Sequence, residues 1–167
     1  MPEFGKNSLI DPSPMTKNAS NTLPKRVLVI CTGNSCRSQM AQGLINHDLA
    51  GQWVAESAGI VASGVNRRAI QVMAELGIDI SHHTSKTIDR FLDQSFDLVV
   101  TVCDNAREVC PVFPGAKATH HMAFDDPVYA TDFPDDIALY VFRQVRDQIR
   151  EQLIPFLRDY PTKGKSK

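Results

Sequence analysis

The residues with the clearest chemical potential are a cysteine and an arginine separated by five residues, Cys31 and Arg37. They bound a loop that lies between a short apolar run and a segment with helical spacing. A loop that ends at a helix N-terminus directs backbone N–H groups inward and adds the positive end of the helix dipole. Such a loop binds tetrahedral oxyanions. The predicted oxyanion-binding residues are Thr32, Gly33, Asn34, Ser35, Cys36, Arg37 and Ser38.

Within this loop the residue types suit distinct tasks. Gly33 and Asn34 tolerate the left-handed backbone angles that a tight wrap requires. The planar guanidinium of Arg37 can hold two oxyanion oxygens at once. Cys31 is expected to lose its proton readily, because helix N-termini and adjacent cations stabilise a thiolate, and Ser38 can donate a hydrogen bond to it. The alternative is that Cys31 is a buried, inert thiol at the end of a strand.

A pair of carboxylates, Asp125 and Asp126, precedes Pro127 in a loop that follows another apolar stretch. Displacing an oxygen from a tetrahedral oxyanion requires a proton for the leaving group, and a partly buried aspartic acid can supply it. Paired aspartates in loops are also common as turn formers or solvated surface. The residue types alone therefore leave the role of this pair open.

Two further cysteines, Cys103 and Cys110, are separated by six residues and follow a second buried-strand pattern. The carboxyl ends of parallel strands share one edge of a sheet, where ligands bind, so Cys31 and Cys103 are expected at the same edge. A phosphatase does not require these thiols, whereas a disulfide relay would use them. The alternatives are inert packing and a zinc site with His120 and His121, although zinc ligands usually lie about two to four residues apart.

The elements around these residues predict an α/β fold. Strands are predicted over residues 26–30, 53–58, 96–103 and 117–124. Helices are predicted over residues 39–49, 66–76, 87–94 and from 135 or 136 to about 160. One face of the last helix is predicted to contain Ile137, Tyr140, Val141, Val145, Ile149 and Leu153. This alternation predicts a three-layer sandwich with a four-stranded parallel sheet and helices on both faces.

Composition indicates one globular domain. The chain has 167 residues, 43% of them hydrophobic, within the ~100–200 residues of a single domain. We predict a catalytic domain over 25–160, a disordered, tag-like extension over 1–24 and a flexible tail over 161–167. The net charge of −1 argues against nucleic-acid or anionic-membrane binding. No apolar run approaches the roughly 18 residues of a membrane span. Without a signal-peptide pattern, a cytoplasmic location with reduced thiols is expected.

The segment 31–38, between its strand and helix patterns, resembles the oxyanion loop of the low-molecular-weight protein tyrosine phosphatases and of the arsenate reductases that share their fold. The similarity extends over residues 25–157 and includes the stretches 57–59, 78–81 and 143–147. The phosphatases typically carry a proline after the loop serine and a pair of tyrosines beside the acid. This chain has Gln39 at the first position and only Tyr129 near the second.

The spacing of Cys103 and Cys110, with Pro111 next, resembles the thioredoxin-coupled arsenate reductases. The resemblance implies that Cys31 attacks arsenate with Asp126 as the acid, in preference to Asp125. Cys103 then attacks Cys31 and releases arsenite. Cys110 attacks Cys103, and thioredoxin reduces the final disulfide. The segment between these two cysteines must rearrange for this purpose.

Other interpretations stay open at this stage. The chain is alternatively a phosphatase acting on phosphotyrosine or small phosphomonoesters, and weak phosphatase activity is expected beside a reductase activity. A non-catalytic redox or metal-binding module is a third possibility. A glutaredoxin or a low-molecular-weight thiol could replace thioredoxin as reductant. Cys36 is not needed by the relay and is interpreted as a structural thiol. Nothing in the sequence demands more than a monomer.

Some relatives hold a potassium ion beside the loop, using its asparagine, a serine and two carboxylates. Asn34 and Ser57 match the first two positions, but Gln42 and Lys86 occupy the acidic ones. We expect the ammonium of Lys86 to replace the ion, so that no metal or other cofactor is needed. The electrons are expected to come from thioredoxin. A solvated surface lysine is the alternative.

Overall fold

The computed structural model describes residues 23–103 and 113–161. A four-stranded parallel sheet lies at its centre, with strand order β2-β1-β3-β4. The strands are β1 (Lys25–Cys31), β2 (Trp53–Gly59), β3 (Leu98–Thr101) and β4 (Thr119–His121). The predicted α/β fold with a four-stranded parallel sheet is confirmed. The central position of β1 explains its continuous apolar run, because a strand between two parallel neighbours is buried on both faces.

Three α-helices accompany the sheet: α1 (Arg37–Asp48), α2 (Arg67–Ala74) and α3 (Asp135–Arg158). Side chains from all three join Val27 and Val29 in the larger hydrophobic cluster. Leu28 and Ile30 belong to a smaller cluster that includes Phe91, from the 3₁₀ turn Ile88–Phe91. Because successive side chains of a strand point to opposite faces, these two clusters lie on opposite sides of β1.

Three elements are half as long as the sequence pattern predicted, or shorter. The helix predicted over 87–94 forms only the 3₁₀ turn Ile88–Phe91, since Phe91 is buried while Leu92 is 48% exposed. The strands predicted over 96–103 and 117–124 narrow to β3 and β4. Phe96 and Ala116 still form an isolated bridge before these two strands. The chain is therefore extended beyond the regular ladder, and the apolar pattern overestimated its length.

The first two turns of α3 bury a different face from the predicted one. Ile137 and Tyr140 were expected in the core, but they are 47% and 60% exposed, whereas Ala138 and Phe142 are fully buried. Farther along, the predicted positions Val145, Ile149 and Leu153 are buried. The apolar spacing at the start of this helix fits two faces about equally, and the core selects the one that contains Phe142.

The sheet sets where the chemistry can occur. Cys31 is the last residue of β1, α1 begins at Arg37, and Cys103 follows β3 by two residues. Both cysteines therefore lie at the carboxyl edge of the sheet, as predicted. No helix in residues 23–103 or 113–161 has the length and apolar character needed to cross a membrane. Cys110 and Pro111 lie outside the described residues, as do nearly all of the predicted extension and tail.

Candidate active site

The loop between β1 and α1 closes into a nest around the N-terminus of α1. Asn34 has a φ of 48°, which is the left-handed conformation expected from its residue type. Backbone amides of the segment after β2 donate to the loop carbonyls: Ile60 and Val61 to Thr32, Ser63 to Gly33, and Asn66 to Ser35, at 2.9–3.1 Å. With these carbonyls bonded to residues outside the loop, its N–H groups suit an anion on the inside.

Gly59, the last residue of β2, permits the close approach of this loop. A Cβ atom at this position would lie 2.6 Å from the backbone nitrogen of Asn34 and 2.8 Å from the carbonyl oxygen of Thr32. Both distances are shorter than real Cβ contacts. The glycine of the Ser-Ala-Gly stretch is therefore required because the loop packs directly against its Cα.

The side-chain amide of Asn34 is fully buried and holds the loop in place. Its Nδ2 donates to Ser38 Oγ at 2.8 Å and to Ser57 Oγ at 3.0 Å. Its Oδ1 accepts from the backbone N–H of Lys86 at 2.7 Å and from Gln39 Nε2 at 2.9 Å. An asparagine amide has two donor hydrogens and two acceptor lone pairs. All four hydrogen-bonding positions of Asn34 are therefore used within the protein.

Cys31 lies beneath the loop, 2% exposed, with its Sγ 2.8 Å from Ser38 Oγ. Because Ser38 Oγ accepts from Asn34, its own hydrogen is available to donate to the sulfur. The hydroxyl of Ser38 is therefore placed to hydrogen-bond the sulfur of Cys31, the residue predicted as the nucleophile. Cys36 differs, because burial raises the pKa of its thiol to about 12. Cys36 is therefore a neutral thiol at physiological pH, which fits the structural role predicted for it.

The guanidinium of Arg37 is buried next to the loop. Its Nη1 donates to the carbonyl oxygens of Phe124 at 3.1 Å and Val102 at 3.4 Å. Its Nη2 lies 3.2 Å from Asp126 Oδ2, and the Asp126 side chain is 36% exposed. Asp125, the other predicted candidate for the acid, has an exposed side chain. The structure thus brings Asp126 to the loop arginine.

Cys103 lies against the oxyanion loop. Thr32, the residue after Cys31, has its Oγ1 3.7 Å from Cys103 Sγ, which is hydrogen-bonding distance for sulfur. Cys103 is 6% exposed and Cys31 is 2% exposed, so both sulfurs are buried. The structure therefore brings two of the three predicted relay cysteines to one edge of the sheet. The third, Cys110, falls in the gap between residues 103 and 113.

The family described as "Low molecular weight phosphotyrosine protein phosphatase" matches residues 26–165, a range that contains the oxyanion loop, Cys103 and the loop of Asp126. This chain belongs to that family. Its arsenate reductase relative from Halalkalibacterium halodurans is 49% identical over 132 residues, which cover 79% of this chain and 94% of the relative.

Solved structures of family members show the same fold. The structure of "An arsenate reductase in the phosphate binding state" is 34% identical, with a TM-score of 0.68, and covers 82% of this chain and 99% of that one. The low molecular weight protein tyrosine phosphatase from T. tengcongensis is 27% identical, with a TM-score of 0.57, and covers 78% and 98% respectively. Reductases and phosphatases thus share this fold, and the residues of the site distinguish the two reactions.

Two side chains of this family member support the loop without having been assigned a role from the sequence. Gln39 is fully buried, and its Nε2 lies 3.0 Å from the carbonyl oxygen of Thr84 as well as near Asn34. Its Oε1 accepts from His83 Nδ1 at 2.9 Å. Burial, aided by neighbouring positive charge, lowers the pKa of His83 to about 4. The only sequence signal was a glutamine in place of the phosphatase proline.

Lys86 is 8% exposed, which rules out a solvated surface lysine. Its Nζ donates to the carbonyl oxygen of Thr84 at 2.8 Å. Burial lowers the pKa of its ammonium, and the charge of Glu56 opposes that effect. Nearby, Ser57 donates from its Oγ to Gln42 Oε1. Within the described ranges, no group of three or more His, Cys, Asp or Glu side chains could hold a metal ion.

Proposed function

We propose that this protein reduces arsenate to arsenite, with Cys31 as the nucleophile and with Cys103 and Cys110 as the thiols that take over the oxidation. The observation that carries the proposal is the contact of Cys103 Sγ with Thr32 Oγ1 beside the oxyanion loop. A phosphatase of this family requires no second thiol there, because water hydrolyses its intermediate. The arsenate reductases among its relatives support the same reaction.

In the first step the thiolate of Cys31 attacks arsenic. A sulfur–arsenic bond forms, and one arsenate oxygen leaves as water after it has received a proton. The loop N–H groups and the guanidinium of Arg37 hold the other oxygens. Asp126 supplies the proton as the general acid. Its position 3.2 Å from Arg37 supports this role, because the carboxyl group lies next to the expected site of the oxyanion.

In the second step the thiolate of Cys103 attacks the sulfur of Cys31. A disulfide forms and the sulfur–arsenic bond breaks. The electron pair of that bond remains on arsenic, which is reduced from As(V) to As(III) and leaves as arsenite. The contact of the Thr32 hydroxyl with Cys103 Sγ keeps this sulfur beside the loop, where the attack takes place.

In the third step Cys110 attacks Cys103 and frees Cys31 as a thiolate. A dithiol protein of the thioredoxin class then reduces the Cys103–Cys110 disulfide and supplies the two electrons that balance the cycle. Because Cys110 lies outside the described residues, this step rests on the sequence spacing and the resemblance to thioredoxin-coupled reductases. A cytosolic reductant is consistent with the expected reducing environment.

The direct test is NADPH consumption with arsenate, thioredoxin and thioredoxin reductase. The wild type should turn over, and Cys31→Ser, Cys103→Ser and Cys110→Ser should each abolish turnover. Cys36→Ser is the matched control, since Cys36 is a buried loop thiol outside the relay, and it should keep most of the activity. Full turnover in both the Cys103 and Cys110 variants would refute the relay. Replacing thioredoxin by glutaredoxin with glutathione tests the alternative reductant.

Phosphatase activity is the second candidate function, favoured by family membership and by a loop suited to any tetrahedral oxyanion. As a side activity, slow hydrolysis of p-nitrophenyl phosphate should require Cys31 and Arg37 but not Cys103. Brisk hydrolysis without arsenate turnover would instead identify the protein as a phosphatase.

We further propose that Lys86 takes the place of the potassium ion of some relatives. Both lone pairs of Asn34 Oδ1 are occupied by protein donors, which leaves none for a cation. Ser57 Oγ likewise accepts from Asn34 and donates to Gln42. The backbone N–H of Lys86 makes one of these contacts, and Lys86 is buried, so its ammonium gives this region a positive charge of its own.

A further inference from the structure

We propose that Arg68 is a positioning residue for Asp126, acting through a clamp formed by Asn66, Arg68, Thr131 and Asp135. The proposal rests on the proposed function of Asp126 as the general acid. The clamp fixes the acid segment, residues 127–135, against α2 and, through Asn66, against the oxyanion loop. Its consequence is that the acid and the loop keep a constant separation.

Arg68 holds the acid segment at two points. It is the second residue of α2 and is 3% exposed. Its Nη2 donates to the carbonyl oxygen of Thr131 at 3.2 Å, and its Nη1 lies 2.9 Å from Asp135 Oδ1. Thr131 directly follows the 3₁₀ turn Pro127–Ala130, and Asp135 is the first residue of α3. One guanidinium thus joins both ends of the connection between that turn and α3.

Asn66 joins the clamp to the oxyanion loop. Its backbone N–H donates to the carbonyl oxygen of Ser35 at 3.1 Å. Its Nδ2 donates to Thr131 Oγ1 at 3.3 Å, and its Oδ1 accepts from the backbone N–H of Arg68 at 2.8 Å. Asn66 therefore caps α2 while it contacts both the loop and the acid segment.

The 3₁₀ turn between Asp126 and Thr131 transmits the position of the clamp. It contains four residues, of which Pro127 and Ala130 are buried. Asp126 caps this turn, since its Oδ1 accepts from the backbone N–H of Val128 at 3.0 Å. Its other oxygen, Oδ2, pairs with Arg37. Contacts therefore run from the loop through Asn66 and the turn to Asp126, and the carboxylate of Asp126 in turn pairs with the loop residue Arg37. This closed set of contacts leaves the carboxyl group little freedom.

The partners of Arg68 distinguish this function from general stabilisation. Burying a guanidinium is unfavourable unless it is paired. In the described parts of the chain, its guanidinium donates one hydrogen bond, to the carbonyl oxygen of Thr131, and forms one ion pair, with Asp135. Within these parts its Nε has no hydrogen-bond partner, and Nη1 contacts Asp135 by charge without hydrogen-bond geometry. A buried cation whose polar contacts are with the two ends of one connection is suited to hold that connection in place.

The test is a double-mutant cycle between position 68 and Asp126, read out as the rate of arsenite release in a single turnover of the reduced enzyme. Arg68→Met should slow release about 10- to 100-fold, because small misplacements of a reacting group have effects of this size. Arg68→Lys should recover part of the loss. In the Asp126→Asn background, Arg68→Met should add less than about twofold, since the acid is already absent.

Three comparisons keep the test decisive. Arg67→Met, at the exposed neighbouring position, should match the wild type. Asp135→Asn alters an exposed helix terminus that the fold tolerates, and it should slow release several-fold only where Asp126 is present. The rate at which iodoacetamide alkylates Cys31 should not change in any of these variants, because the nucleophile is not affected.

The proposal would be overturned if Arg68→Met and Asp135→Asn each slowed release as much in the Asp126→Asn background as in the wild type. A loss of Cys31 alkylation that matches the loss of release would also overturn it, and either result would indicate a structural role. If Asp126→Asn releases arsenite at the wild-type rate, both the acid assignment and the clamp are refuted. Absence of arsenite release by the wild type would refute the proposed function itself. These failures are therefore distinguishable.

Discussion

Nη2 of Arg37 lies 3.2 Å from Oδ2 of Asp126, so the cation of the oxyanion loop is paired with the residue proposed as the acid. An ionised Asp126 competes with an entering oxyanion for this guanidinium. Under the proposed function, Asp126 also supplies the proton for the leaving oxygen, so this contact combines competition for Arg37 with proton donation.

Asp126→Asn separates these two effects. Without the proton donor, single-turnover arsenite release should fall by about 10²–10⁴-fold, the usual contribution of a positioned acid. Phosphate should bind several-fold more tightly by calorimetry, because a negative charge beside Arg37 has been removed. Asp125→Asn, at the exposed neighbouring carboxylate, should change neither quantity. An Asp126→Asn enzyme with normal turnover would exclude Asp126 from the chemistry.

Ser38→Ala tests the hydrogen bond to the nucleophile. Ser38 Oγ lies 2.8 Å from Cys31 Sγ, and a hydrogen bond to a charged group contributes about 1.5–3 kcal/mol. The rate of Cys31 alkylation by iodoacetamide at pH 6 should therefore fall at least about tenfold. Ser35→Ala, which removes the hydroxyl beside Cys36, should leave the rate unchanged. An unchanged rate in Ser38→Ala would show that Ser38 does not stabilise the thiolate.

His83 should make the fold sensitive to mild acid. Burial lowers its pKa from 6.5 to about 4, so the unfolded chain binds a proton more readily than the folded one between these values. The free energy of unfolding is then highest above pH 6.5 and falls as the pH decreases toward 4, by about 1–3 kcal/mol. Urea unfolding at a series of pH values should show a shallower fall in His83→Asn.

His82→Asn is the control for this measurement, since His82 is the exposed neighbour and its loss leaves His83 to titrate. The steeper wild-type fall should persist in this variant. Parallel pH profiles for the wild type and His83→Asn would mean that His83 does not contribute to acid sensitivity.

Potassium should have no effect on this protein. Replacing NaCl by KCl at constant ionic strength should change neither the rate of arsenite release nor the melting temperature, because Asn34 Oδ1 has no lone pair left for an ion. Lys86→Met should lower the melting temperature in both salts, whereas Lys117→Met, at an exposed lysine, should not. A potassium-specific increase in the rate or stability of the wild type would show that Lys86 does not replace the ion.

Short-range patterns made the central part of the site predictable. The apolar run of β1, the glycine and asparagine of the loop and the start of α1 are adjacent in sequence, and each residue type favours the conformation it adopts. The left-handed φ of Asn34 follows from the same reasoning. The position of Cys103 followed from a general property of parallel sheets, whose strand ends share one edge.

Long-range polar contacts were not predictable in the same way. Gln39 and His83 lie 44 positions apart, and Arg68 and Thr131 lie 63 apart, yet each pair is hydrogen-bonded. Glutamine, histidine and arginine occur at many surface positions, so their types gave no signal of burial. The prediction of the buried face at the start of α3 was wrong for another reason. The apolar spacing there fits two faces, and only the neighbouring core decides between them.

The fully bonded amide of Asn34 has a consequence for selectivity among oxyanions. A loop held through both polar atoms of its central side chain is preformed, and it has little capacity to adjust to the small size difference between arsenate and phosphate. Under the proposed function, discrimination then falls to kinetics after binding, because only the arsenic adduct can accept the electron pair when Cys103 attacks. Cellular phosphate is accordingly expected to act as a competitive inhibitor that the protein tolerates, and detoxification should proceed faster as the phosphate supply falls.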